Sequence, residues 1–118
     1  MTTLYVAIGG LLGVLARFGV GRLSLHHEWL IWSTVAINIV GSFLLGLLVA
    51  EHWFGRDLRE GLGAGFLGGF TTFSTFSVQT VLEVEAEEFG RAAGYLLASV
   101  LGGLLAAMVG YRFGRWLA

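Results

Sequence analysis

No cysteine, proline or lysine occurs among the 118 residues, and only 13% of them are charged. Without cysteine there is no disulfide, no thiolate nucleophile and no thiolate metal site. With a net charge of −1 and no lysine, nothing favours a nucleic-acid partner. Charge is also missing locally: Trp29 to Ala50, Gly61 to Leu82 and Ala92 to Tyr111 carry none, and Thr2 to Gly21 carries only Arg17. About 20 helical residues at 1.5 Å each cross the roughly 30 Å hydrocarbon core of a bilayer. The chain therefore reads as an all-α integral membrane protein, one domain over 1–118, with spans at about 4–24, 30–53, 61–82 and 91–116. Met1 to Tyr5 has no basic residue, so the first segment reads as a span rather than a signal peptide.

The expected loops, Leu25 to Trp29, Gly55 to Glu60 and Glu83 to Phe89, are short. Loops of this length make consecutive helices antiparallel neighbours and put both termini on one side. That side holds Arg56, Arg59, Arg112 and Arg115; the other holds Arg22 and Arg91, with Arg17 nearest to it. Orientation follows the Lys/Arg asymmetry of short loops, and four against three is almost no bias. Insertion in both orientations is expected, which makes an antiparallel homodimer geometrically available. A single extra arginine settling one orientation is the plainer alternative.

Small residues recur every four positions: Gly94, Ala98, Gly102, Ala106, Gly110 and Gly114; Gly61, Gly65 and Gly69; Gly9 and Gly13. Such rows let helix backbones approach closely in lipid. The stretch Gly65-Phe66-Leu67-Gly68-Gly69-Phe70-Thr71-Thr72-Phe73-Ser74-Thr75-Phe76-Ser77 is different, because five of its last seven residues are Thr or Ser. Hydroxyls and irregular backbone persist at membrane depth where protein buries them or where they line a pathway. The glycine pair adds backbone freedom, and the hydroxyls can satisfy freed amides and carbonyls. A break is expected near Gly69–Ser74, with carbonyls at one half-helix end and amides at the other, a device that holds ions. The competing form is a continuous helix whose hydroxyls bond back to their own backbone.

That run, with Gly9-Gly10-x-x-Gly13-x-x-x-Arg17 and Asn38-x-x-Gly41-Ser42-Phe43-x-x-Gly46 in order, resembles the signature of the small Fluc/CrcB fluoride channels over the full chain. The resemblance implies a dual-topology homodimer in the cell (inner or plasma) membrane. It implies two antiparallel fluoride pathways, passive export of fluoride and a central structural sodium ion. It assigns Phe73 and Phe76 as the rings whose edges face fluoride and Asn38 as the amide donor in the vestibule. Gly68 and Thr71 would give carbonyl ligands to sodium, two from each subunit. Tyr95 and Ser99 would begin a hydroxyl track on the fourth span, and Arg17 would stand near one mouth. Gly103, four residues after Ser99, departs from the pattern of those relatives that carry a further hydroxyl there. Thr72, Ser74, Thr75 or water would then serve the exit.

The chemistry suits a small, strongly hydrated anion, whose water must be replaced by donors that do not hold it too firmly. Aromatic rings have a positive edge, and no fixed Lys or Arg lies between Gly61 and Leu82. Each residue also has a plainer reading. Paired phenylalanines pack, Asn38 glues helices, Arg17 snorkels, and a Tyr–Ser pair at i, i+4 shares a face. Glu83, Glu85, Glu87 and Glu88 read as a solvated cap, and His26, His27 and His52 have no ligand constellation around them. No nucleophile, base and orienter set is visible, so an enzyme is not expected. A small dual-topology cation or multidrug exporter would need a titratable carboxylate inside a span; only Glu51, at the end of span two, comes near. An accessory structural membrane protein would use the glycine rows but leave the hydroxyl-rich stretch idle.

Overall fold

The computed structural model describes residues 1–23 and 27–117, with the backbone alone at 27–30. His26 and the start of the loop expected at Leu25–Trp29 lie outside them. The described residues form helices and no strand: α1 (Thr2–Arg22), α2 (His27–Ala50), α3 (Arg56–Glu60), a π-helical segment (Gly61–Leu67), α4 (Gly68–Phe70), α5 (Phe73–Glu85) and α6 (Phe89–Leu117). Helices α1, α2 and α6 are long and apolar enough to cross a membrane. Residues 56–85 are instead divided into four pieces, and their one non-helical interruption, at Thr71 and Thr72, falls inside the expected window.

The short loops do not make sequence neighbours the main packing partners. Helix α1 lies along the π segment and α4, while α2 lies along α6, and α1 touches α2 only lightly. Both main pairs are parallel, because contact positions rise together: Gly61 meets Tyr5, Gly65 meets Val6 and Gly69 meets Gly10, as Gly102 meets Ile39 and Gly114 meets Leu47. The glycine rows are the physical reason. A Cβ at Gly13 would overlap the Phe66 carbonyl, and one at Gly110 would overlap the Phe43 carbonyl. Bare backbone against bare backbone gains dispersion contact that lipid tails cannot match. The first part of the row on α6 is not used this way, since a Cβ at Gly94 would meet nothing within 4 Å.

Two carboxylates at helix ends are buried. Glu51, 4% exposed, accepts from the Trp53 and Phe54 amides at 2.5 and 3.2 Å and pairs with Arg59 at 3.0 Å. Glu83 departs from the expected solvated cap. It is 2% exposed and bonded to Arg91 Nε at 3.2 Å, while Glu85, Glu87 and Glu88 stay exposed. Glu87 sits at φ 60, with Glu88 N–H on the Glu83 carbonyl and Glu87 N–H on that of Val84. This is the Schellman closure of a helix C-terminus with glutamate where glycine is usual. It reverses the chain into α6.

Candidate functional site

The site grows from the break. Thr71 (φ −87, ψ 156) and Thr72 (φ −149, ψ 120) are extended, a conformation β-branched residues favour. Thr72 caps α5, its Oγ1 accepting from Thr75 N–H at 3.2 Å, as threonine does at an N-cap. The larger contribution comes from α2. Asn38 Nδ2 donates to the Thr72 carbonyl at 3.1 Å and Asn38 Oδ1 accepts from Thr72 N–H at 2.9 Å, so one side chain satisfies both polar groups of that residue's backbone. Arg17 Nε donates to the Gly69 carbonyl at 3.2 Å. Asn38 and Arg17, expected along an ion route, are thus also struts of the break.

Backbone oxygens remain over, those of Gly68 and Thr71 among them. Thr72 N–H, which would close the helix onto Gly68, is turned to Asn38, and no hydrogen bond reaches the carbonyls of Gly68 or Thr71 among the described residues. Both residues line a cleft of about 450 Å³ with Asn38, Ser42, Thr72 and Phe73. Hard oxygens of unwound backbone are a donor set that fits a sodium ion. The other half-helix presents the amides of its first turn, a partial positive charge suited to an anion. A second cleft of about 290 Å³ is lined by Arg17, Arg22, Thr34, Thr72 and Thr75, so Thr72 borders both.

The aromatic and hydroxyl residues divide between environments. Phe73 is 78% exposed, whereas Phe76 is 7% exposed in a cluster with Ile31, Val35 and Tyr95. Their ring centroids are 5.8 Å apart, and Phe76 meets Tyr95 in a T-shaped contact at 5.1 Å and 73°. Tyr95 donates to Gln79 Oε1 at 2.6 Å. Gln79 is buried and was not singled out in the sequence; its signal was a lone amide three residues beyond Phe76 in an uncharged run. Thr71, Ser77 and Thr80 donate to the carbonyl four residues back, the usual fate of a hydroxyl in a helix. Ser99 does not, and its Oγ is buried without a partner. Ser74 is exposed and lines neither cleft.

The arrangement assembles Asn38, Gly68, Thr71, Thr72 and Phe73 at one cleft, Arg17, Thr72 and Thr75 at the next, and Phe76, Tyr95 and Ser99 along α5 and α6. Among the described residues, the guanidinium bonded to the break is that of Arg17, which donates Nε to a carbonyl. Such a set can pass a small ion but offers no nucleophile with an adjacent base.

The family model described as CrcB-like protein, Camphor Resistance (CrcB), matches residues 4–111. The chain is 43% identical to a fluoride-specific ion channel FluC of Novosphingobium aromaticivorans, over 98% of this chain and 98% of that protein. It is 44% identical to a fluoride-specific ion channel FluC of Thermus thermophilus, over 94% and 93%. A FluC 1 of Bacillus thuringiensis subsp. konkukian is 40% identical over 95% and 86%.

Proposed function

The chain belongs to the CrcB family, and from that premise we propose that it is a fluoride-selective channel through which the anion leaves the cell passively. The observation that carries the reading beyond kinship is the capped break at Thr71–Thr72. The helical stretch 56–85 is interrupted there, and Asn38, Arg17 and Thr72 hold the interruption in one shape beside the first turn of α5. Dehydrated fluoride would meet the α5 amides, the edge of Phe76 and the Ser99 hydroxyl in place of water. Hydrogen fluoride enters cells as the neutral acid and dissociates at cytoplasmic pH. An inside-negative potential then drives the trapped anion outward with about 2.3 kcal/mol per 100 mV, so no coupled energy source is required. Glu51 does not favour an exporter, because its carboxylate is already held by Arg59 and two amides.

We infer four spans, the third being the broken stretch 61–82, and an antiparallel dimer. One copy is only 19 Å across its thinnest direction, about two helix diameters, which cannot surround a conduit. Phe73, exposed in a single copy, would then reach the pathway of its neighbour. The free carbonyls of Gly68 and Thr71 from both copies would hold a structural sodium ion, whose charge, when bound, ties the two breaks together.

Cells deprived of their own fluoride defence should grow in fluoride when they express this chain, and Phe76→Ile at equal expression should not rescue them. Failure of the wild-type chain would reject the channel; full rescue by Phe76→Ile would remove Phe76 from the pathway. Orientation has a clean test because no native thiol competes. With Thr3→Cys as sole reporter, an impermeant maleimide should reach about half of the molecules from outside intact cells, as near-neutral Arg bias requires. Labelling of all or none would exclude dual topology.

A further inference from the structure

Resting on the channel reading, we propose that Ser42 supplies from α2 the hydroxyl that α6 lacks at position 103, and so is the donor that follows Ser99 along the fluoride route. Tyr95, Ser99 and Gly103 stand four residues apart and form one row on α6. Tyr95 is engaged by Gln79. The Ser99 hydroxyl is buried and unpartnered, a condition rare enough in native proteins to call for a ligand or water. One turn further the row has no side chain at all. A Cβ built on Gly103 would find only Ser42 Oγ, at 3.6 Å, so the hydroxyl of the facing helix points at the gap.

Ser42 carries two further marks of a donor in use. It lies four residues after Asn38 on α2 and lines the same cleft as Asn38, Thr71 and Thr72. No hydrogen bond to its Oγ is found among the described residues, whereas Thr71, Ser77 and Thr80 turn theirs onto their own helix. The gap also has room for a side chain: 3.6 Å is ordinary van der Waals separation, so a Cβ at 103 fits without displacing α2. Ser42 and a residue at 103 are thus alternative carriers of one hydroxyl.

Fluoride efflux from liposomes holding purified protein, read with a fluoride electrode, tests this directly. Ser42→Ala keeps the packing size and removes the donor; it should slow efflux about tenfold, the weight of one hydrogen bond to a charged group. Adding Gly103→Ser should restore at least half of the wild-type rate, and adding Gly103→Ala, which fills the same space without a donor, should not. Efflux by Ser42→Ala at the wild-type rate would overturn the proposal, and so would a Ser42→Ala, Gly103→Ser double variant no faster than Ser42→Ala. A wild-type protein passing no fluoride would overturn the channel reading itself, and this proposal with it.

Discussion

Asn38→Asp is expected to lower fluoride flux at least about 100-fold, near 2.7 kcal/mol, while the protein still elutes as a folded species in detergent. The wild-type side chain works in both directions on Thr72, donating to its carbonyl at 3.1 Å and accepting from its amide at 2.9 Å. Aspartate keeps the acceptor and loses the donor. It sets a carboxylate oxygen against the Thr72 carbonyl and adds a negative charge beside an anion route. Leaving one buried partner unsatisfied costs about 1–3 kcal/mol, and more next to a charge. Both main helix pairs are held elsewhere, by the glycine contacts, so the loss falls on the break rather than on the fold. Asn38→Ala, which adds no charge, should fall between the two. Wild-type flux in Asn38→Asp, measured in liposomes beside size-exclusion profiles, would contradict the role given to the clamp.

Gly110→Ala is expected to cost the most stability of any single methyl addition to α6. Its Cβ would overlap the Phe43 carbonyl and lie 2.9 and 3.1 Å from the Phe43 C and Cα, all backbone atoms that cannot swing aside. The two helices must separate, and overpacking of this kind costs about 1–3 kcal/mol, sometimes more. Gly90→Ala is the matched control, since nothing lies within 4 Å of its new methyl. Gly→Ala in a helix gains roughly 0.5–1 kcal/mol where space allows. Thermal unfolding in detergent should therefore show Gly110→Ala falling and Gly90→Ala holding or rising. Equal midpoints for the pair would mean that the close α2–α6 contact is not what holds the subunit.

Much of this is legible in the amino-acid sequence. The uncharged runs marked the long apolar helices, and Gly68-Gly69 followed by hydroxyls marked the break to within its actual position at Thr71–Thr72. Periodicity says which face of a helix is small, however, and not which helix it meets. The short loops suggested sequential neighbours, while backbone approach at Gly13 and Gly110 selected α1 with the π segment and α2 with α6. Glu83 was misread because four glutamates in one turn-rich stretch look like a solvated cap. Its fate was decided by Arg91, eight residues later and on the next helix. Asn38 was legible as a polar residue in an apolar helix, but its pair of hydrogen bonds to the Thr72 backbone, like the idle hydroxyl of Ser99, is a property of three-dimensional neighbours.

Selective passage of fluoride is tested most directly by anion efflux from liposomes. Vesicles containing purified wild-type protein are loaded with potassium fluoride or potassium chloride, and valinomycin sets the potential. The expected result is rapid fluoride loss with chloride retained, at rates that scale with protein density. Equal loss of both anions, or no fluoride loss from folded protein, would contradict it.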